Sequence, residues 1–206
     1  MNRVPLVAEA VMAIYREIDQ AVATFQKESG LACPQFCGRC CDSQKVEATP
    51  IECLPLALAL SEAGQGEATL TVIEAMPPGE KRCLFYDPRH QERPSWGCGR
   101  YDTRPLICRM FGFAGNADRL GRPRLACCRV MKEAFALGEG DEYRLASAQM
   151  PGFHQAAVRL AALGPQFGVT MLPINLAVRE ALLKVETLRY LVTMQEQSTK
   201  ALGQPA

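Results

Sequence analysis

The sequence has 206 residues, of which 48% are hydrophobic and 22% are charged, so the chain can bury a core of ordinary size. Its formal net charge of +1 excludes the strongly basic balance that is typical of proteins that bind nucleic acids or membrane surfaces. Ten cysteines are the unusual feature of this composition, and they need a chemical explanation.

The N-terminal stretch lacks the pattern of a secretory signal, because Glu9 interrupts its apolar residues and polar residues then recur with helical spacing. No stretch approaches the roughly 20 apolar residues that a membrane-spanning helix needs. We therefore expect a cytoplasmic protein without membrane contact. Thiols stay reduced in the cytosol, where clustered cysteines bind metal more often than they form disulfides. Buried reduced thiols, and disulfides in an oxidising compartment, are the two alternatives.

The first third of the chain has strong helical patterns. Apolar residues that step by three and four predict an amphipathic helix over residues 4–29, with Gly30 as its stop and a loop over 31–45. A second helix should begin at Thr49, whose side chain can cap it while the Glu52 side chain reaches back to the Thr49 backbone N–H. A short helix should follow over residues 67–75.

The middle of the sequence, residues 80–123, has no long periodic run and is rich in Gly, Pro, Arg and Cys. We expect loops there, with short strands near 83–86 and 97–101. Such a stretch has little apolar surface to bury, so a metal centre is a plausible source of its order.

The remainder is expected to be helical again. The predicted helices cover residues 124–137, which carry Cys127 and Cys128, residues from Asp141 to before Pro151, residues 153–163 and residues 175–195, with fraying after Ser198. The fold class is therefore mainly α, a helical domain with an irregular, cysteine-rich metal-binding middle segment. We predict a single domain over 1–206, with a cysteine-cluster core at 31–130 and a C-terminal helical extension at 141–206.

The cysteines themselves fall into groups. The first group has the spacing C-x3-C-x2-CC, and thiolates at such spacing suit zinc and iron–sulfur clusters. Neighbouring side chains diverge in most backbone conformations, so one cysteine of each vicinal pair, or each of them at a different metal, is expected to be a ligand. Cys53 stands apart in an apolar stretch and is predicted to be a small buried hydrophobe. The metal-ligand candidates are Cys33, Cys37, Cys40, Cys41, Cys83, Cys98, Cys108, Cys127 and Cys128.

Three motifs carry a resemblance to a known family. They are C-x3-C-x2-CC followed by Val46 and a T-x-x-E helix start, then Cys83-Leu84-Phe85 with Asp87, and then Cys98-Gly99-Arg100-Tyr101 with Arg104-Pro105, Cys108-Arg109 and Phe111. In this order they resemble the YkgJ-type cysteine-cluster family, a zinc- or iron-chelating domain often labelled as containing an Fe–S cluster. The resemblance covers about residues 33–113. It implies that the seven cysteines from Cys33 to Cys108, without Cys53, are ligands and that a later cysteine completes the set.

Basic residues surround these cysteines. Residues 81–132 hold twelve Lys or Arg against four Asp or Glu, and four thiolates around Zn²⁺ or a 4Fe–4S core leave a net negative charge. Arg100, Arg104 and Arg109 are candidates to offset that charge and to bind the cofactor. A solvated basic face is the alternative. A nucleic-acid surface is not expected, because few aromatic residues are interleaved with the charges.

Two function hypotheses follow. The first is an iron–sulfur protein with a redox or electron-transfer role and an unknown redox or protein partner, since purely sulfur ligation with tight local spacing favours it. The second is a binding module without catalytic activity that zinc or iron holds folded. The spacing of the first group also occurs in radical-SAM enzymes, but their alternating strands and helices are missing here. Nucleophilic cysteine catalysis has little support, because His90 and His154 are the only histidines that could serve as bases. Whether the protein is an enzyme is left open.

Overall fold

The computed structural model describes residues 3–33, 37–87, 97–146 and 150–202. Within these residues the protein is mainly α-helical, as predicted. The α-helices are α1 (Val4–Ser29), α2 (Leu54–Glu62), α3 (Gly66–Glu74), α4 (Leu106–Met110), α5 (Arg129–Ala134), α6 (Asp141–Arg144), α7 (Phe153–Leu163) and α8 (Ile174–Leu202). No helix in this described part is long and apolar enough to cross a membrane.

Strands are few and short. They are β1 (Glu47–Ala48), β2 (Gly115–Ala117), β3 (Pro123–Leu125) and β4 (Leu172–Pro173). β1 pairs antiparallel with β4, with Ala48 opposite Leu172, and β2 pairs antiparallel with β3, with Gly115 opposite Leu125. The first pair ties the segment after the cysteine loop to the start of α8.

The predicted N-terminal helix is confirmed. α1 buries one stripe of side chains that includes Val11, Tyr15 and Phe25. Gly30 ends the helix with φ of 71°, in the left-handed region where a residue without Cβ is favoured.

The core lies where α2 packs against α1 on one side and α8 on the other. α2 contributes Leu54, Leu56 and Leu60, all buried. α8 faces it with Ala177, Ala181 and other buried side chains, and the small alanines allow the two helices to approach closely.

The predicted helix start at Thr49 is partly confirmed. The Thr49 backbone N–H and its hydroxyl both donate to Glu52 Oε1, at 3.0 and 2.8 Å. The Glu52 side chain therefore folds back onto Thr49, as predicted. Thr49 does not cap the helix, because its hydroxyl is used on Glu52. A 3-10 turn over Ile51–Cys53 precedes α2.

The helix predicted over 124–137 is wrong in its first half. Residues Pro123–Leu125 form β3, because they pair with β2 across the turn at Asp118, and the helix begins only at Arg129. The helix predicted from Asp141 is a single turn, α6, with Gly140 at its N-cap. The last helix is longer than predicted and continues to Leu202, past Ser198.

The sequence predicts that the middle segment buries few apolar side chains. This is true of its first half but not of its second half. Between Ile73 and Pro105 the described residues include no fully buried hydrophobic side chain. Leu106, Met110 and Phe113 are buried, because the short helix α4 packs against α1. The predicted strands near 83–86 and 97–101 are reduced to one antiparallel bridge between Tyr86 and Cys98.

Candidate metal centre

Six of the predicted ligand cysteines line one cavity of about 660 Å³ between α1, the loop after it and α4. This volume is far larger than a single ion needs and lies within the range of protein ligand sites. The six cysteines are Cys33, Cys37, Cys40, Cys41, Cys98 and Cys108.

A tight turn positions Cys40 and Cys41. The backbone N–H groups of Cys41 and Asp42 both donate to the Gly38 carbonyl, at 3.0 and 3.1 Å. The two sulfurs lie 3.9 Å apart and both line the cavity, so the expected divergence of this vicinal pair is wrong. The Cys41 side chain also interacts with that of Cys98, which lines the same cavity.

A small ladder joins Cys83 and Cys98. The Asp87 N–H donates to the Gly97 carbonyl and the Gly99 N–H donates to the Phe85 carbonyl, each at 2.9 Å, on either side of the bridge from Tyr86 to Cys98. Cys83 begins the turn that precedes this bridge. It is not among the cavity-lining residues, but its sulfur interacts electrostatically with those of Cys98 and Cys40.

Asn175, at the start of α8, anchors the Cys83 segment. Its Oδ1 accepts from the Leu84 N–H at 3.0 Å and its Nδ2 donates to the Arg82 carbonyl at 2.7 Å. Asn175 is buried, so these hydrogen bonds satisfy an amide that would otherwise be costly to bury. Nothing in the sequence pattern indicates this role, because a polar residue beside a predicted helix start suggests only a cap.

Cys108 lies on α4, and Glu52 fixes the start of that helix. Glu52 Oε2 accepts from the Leu106 N–H at 3.1 Å, while Oε1 is held by Thr49. Burial raises the pKa of the Glu52 carboxyl, although the hydrogen bonds from Thr49 and Leu106 act in the opposite direction. The T-x-x-E motif therefore links the helix start at 49–52 to the element that carries Cys108.

The cysteines affect one another's ionisation. Hydrogen bonds from the Cys41 thiol lower the pKa of Cys40 to about 7 and that of Cys98 to about 6. Burial, together with neighbouring sulfurs, raises the pKa of Cys33 to about 12 and that of Cys83 to about 11. Thiols this crowded cannot all be anionic without a compensating cation, and a thiophilic metal ion is such a cation.

Two of the three arginines that were predicted to bind the cofactor border the cavity. They are Arg104 and Arg109, and the Arg104 guanidinium lies 3.6 Å from the centre of the Tyr101 ring. Arg100, the third predicted cofactor-binding arginine, instead donates to Gln65 at 2.5 Å and is not among the lining residues.

One wall of the cavity consists of residues that were not predicted from the sequence to belong to the site. Met12, Arg16 and Asp19 of α1 line it, and Asp19 pairs with Arg109 and, at 3.7 Å, with Arg104. These residues occupy the edge of an amphipathic helix, where charged side chains are ordinary, so nothing in the pattern distinguishes them from solvated positions.

Cys128, in the last vicinal pair, caps α5 by accepting from the Met131 N–H at 3.4 Å and interacts electrostatically with Cys33. Cys127 interacts electrostatically with Cys128, Lys132 and Glu142. Neither lines the cavity. Cys53 is fully buried in the core, as predicted.

The two histidines do not join the cysteines in the described structure. His154 borders a different cavity, beside the β2–β3 hairpin, and His90 lies outside the described residues. The donor atoms in the cavity are therefore thiols, two carboxylates and no imidazole among the described side chains.

This donor set fits a thiophilic metal centre, because soft thiolates suit zinc and iron–sulfur clusters. Across the described residues, no group of three or more His, Cys, Asp and Glu side chains already stands at the spacing of a finished metal site. The sulfurs share a cavity, and the assignment of each one as a ligand stays a prediction.

A helical frame that brings cysteines from distant segments into one cavity has the features of a thiolate metal-binding protein. Residues 32–133 match the family model described as "CxxCxxCC: Putative zinc- or iron-chelating domain". This segment matches the family that the cysteine motifs resemble, and the match supports a metal-binding role for zinc or iron. No curated protein and no solved structure matches the chain.

Proposed function

We propose that the protein holds an iron–sulfur cluster of the 4Fe–4S type in the cysteine cavity and has a redox or electron-transfer role. The observation that carries this proposal is the donor set. Six cysteines line one cavity of about 660 Å³, with no imidazole among the described lining residues. A single zinc ion needs four ligands and little space, whereas a cluster needs several sulfurs around a larger volume.

Cys40, Cys41, Cys98 and Cys108 are the candidates to hold the cluster, with Cys83 adjacent. When bound, a cluster of this kind accepts and releases one electron. The chain would supply thiolates, partial exclusion of water, and the positive charge of Arg104 and Arg109 against a net negative centre.

The second candidate is a structural zinc or iron module without catalytic activity. It is favoured by the described residues between Ile73 and Pro105, whose hydrophobic side chains, such as Leu84 and Phe85, are at most partly buried and which therefore need another source of order. Cys37 and Cys40 also have the C-x2-C spacing of a zinc knuckle, although they are the only such pair in that loop.

Anaerobic purification separates the two candidates. An iron–sulfur protein is brown, contains iron and acid-labile sulfide, and loses visible absorption reversibly on reduction, whereas a zinc protein is colourless because Zn²⁺ is d¹⁰. Colourless protein with zinc and no sulfide would refute the proposal.

A pair of variants tests the site. Cys98→Ser should abolish the iron and sulfide content, because Cys98 lies in the cavity beside Cys41. Cys127→Ser is the matched control, since Cys127 is also half-buried but does not line the cavity. Equal cluster content in the two variants would contradict the role of Cys98.

A further inference from the structure

Helix α8 has apolar side chains on two opposite faces. The buried face, marked by Val178, Ala181 and Val185, packs against α2 and α3. The side of a surface helix that points away from the core ordinarily carries charged and polar residues. In α8 that side instead carries a row of mostly apolar residues, which at about 3.6 residues per turn lie within about 40° of one line along the helix. This outer stripe consists of Leu176, Leu183, Thr187, Tyr190 and Met194.

The second half of α8 extends away from the core. Val185 is the last buried residue of the helix among those described. From Arg189 to Ser198 the described side chains are exposed, apart from the half-buried Val192, yet the helix continues to Leu202. A helix of about 15 residues or fewer is only marginally stable on its own in water. Burial of the exposed apolar side chains in this extension against another surface would therefore stabilise it.

A groove of about 490 Å³ lies beside the first half of the outer stripe. Leu183, Thr187 and Leu188 of α8 line it, together with the buried Phe167 from the 3-10 turn that precedes β4. Lys184 Nζ donates to the Gln166 carbonyl at 3.1 Å and so ties that turn to the helix. The outer stripe therefore borders a concave apolar surface at Leu183 and Thr187, whereas Tyr190, which is 63% exposed, projects into solvent.

We propose that the protein forms a twofold-symmetric homodimer, in which α8 packs antiparallel against α8 of a second copy. Leu183 and Thr187 are four residues apart, and so are Tyr190 and Met194. An antiparallel alignment that brings Tyr190 opposite Thr187 of the second copy therefore also brings Met194 opposite Leu183. Each helix then places its projecting residues against the groove of the other, as the self-complementary interface of a twofold dimer requires.

The charged residues beside the stripe are compatible with this alignment. It places Glu180 opposite Gln197, Lys184 opposite Thr193 and Glu186 opposite Leu191, so no like charges face each other across the dimer. A second copy is the partner that the structure favours, because one chain carries both the groove and the projecting residues with equal spacing. The dimer does not depend on the proposed function, since neither half of the stripe borders the cysteine cavity.

Sedimentation analysis of the full-length, anaerobically purified protein tests the dimer, with a reductant present so that disulfides cannot link two chains. The wild type should have the mass of a dimer. Tyr190→Glu should raise the dimer dissociation constant by more than about tenfold, because it places a carboxylate against each apolar groove. Tyr190 is exposed in the single chain, so this variant should keep the wild-type fold, and far-UV circular dichroism checks that it does.

Val158→Glu is the matched control, because Val158 is 54% exposed on α7 and lies outside α8. It should leave the dissociation constant unchanged. A wild type that is monomeric at every concentration measured would overturn the proposal. So would a dimer that Tyr190→Glu leaves intact, or one that Val158→Glu weakens equally.

A mixture of two variants tests the antiparallel alignment. Thr187→Lys and Tyr190→Glu each weaken their own homodimer, but a heterodimer between them has the new lysine opposite the new glutamate at one contact and the wild-type pair at the other. Native mass spectrometry of an equimolar mixture should therefore find more heterodimer than both homodimers together. A proportion no higher than random pairing gives would refute the contact between Thr187 and Tyr190.

Discussion

Replacement of Arg109 by alanine should be among the most destabilising single changes near the cavity. The side chain is only 2% exposed; its Nε donates to the Arg104 carbonyl at 2.8 Å, and its terminal nitrogens reach the Asp102 carbonyl and the Asp19 carboxylate. Its guanidinium also lies 4.3 Å from the centre of the Tyr15 ring. One cation therefore fixes the segment between Cys98 and Cys108 onto α1.

The magnitude follows from these contacts. Two hydrogen bonds from a charged donor to backbone carbonyls contribute roughly 1.5 kcal/mol each, and a largely desolvated cation–π contact adds about 1 kcal/mol. The pair with Asp19 adds little, because that carboxylate is 42% exposed. Arg109→Ala should therefore lower the free energy of unfolding by about 4 kcal/mol.

Urea unfolding of the anaerobic, metal-loaded protein measures this change. Arg129→Ala is the matched control, because Arg129 is 90% exposed and its ion pair among the described residues is with Glu133, one helical turn away. An exposed pair of this kind contributes about 0.3 to 0.5 kcal/mol. A difference of less than about 1 kcal/mol between the two variants would refute the reasoning, since it would mean that the buried contacts of Arg109 contribute no more than a surface ion pair.

Two further predictions concern ionisation. Burial raises the folded-state pKa of Glu52 above that of an ordinary glutamate, so the stability that its protonated form contributes is complete below the ordinary pKa and is lost as the pH rises through the folded pKa. Glu52→Gln should flatten this pH dependence in urea unfolding and lower the free energy of unfolding by about 1 to 3 kcal/mol, because the Leu106 N–H loses its acceptor. An unchanged dependence of stability on pH would contradict this role of Glu52. In metal-free protein at pH 7, Cys40 and Cys98 should react with iodoacetamide before Cys83, since hydrogen bonds from Cys41 lower their pKa while burial raises that of Cys83. Mass spectrometry measures the order of alkylation, and faster alkylation of Cys83 than of Cys40 and Cys98 would contradict the prediction.

The long helices were predictable because their apolar stripes are long. The bounds of α1 agree with the prediction at both ends, where a regular stripe meets a glycine stop. α4 has five residues, fewer than two turns, so no periodicity could reveal it. The strand β3 was mistaken for the start of a helix because its order comes from pairing with β2 across the chain reversal at Asp118, and pairing of this kind leaves little local pattern.

The candidate site was predictable in its donors but not in its surroundings. Tight cysteine spacing indicated which residues gather, since few roles other than metal binding cluster thiols this closely. The contributions of Tyr15, Asp19 and Asn175 depend on how α1 and α8 pack over the middle segment, and that packing is set by side chains far away in the sequence. Cys40 and Cys41 likewise share a cavity only because the Gly38 carbonyl closes their turn.

The anchoring amide of Asn175 has a consequence for how this protein should be handled in the laboratory. The recognised chelating segment ends at residue 133, yet the polypeptide around Cys83 is fastened to a residue 42 positions further along, and another wall of the cavity comes from the helix that precedes the segment. An expression fragment trimmed to the recognised boundaries would therefore discard two of its own supports, and a failure of that fragment to retain metal would reflect the trimming rather than the chemistry of its cysteines.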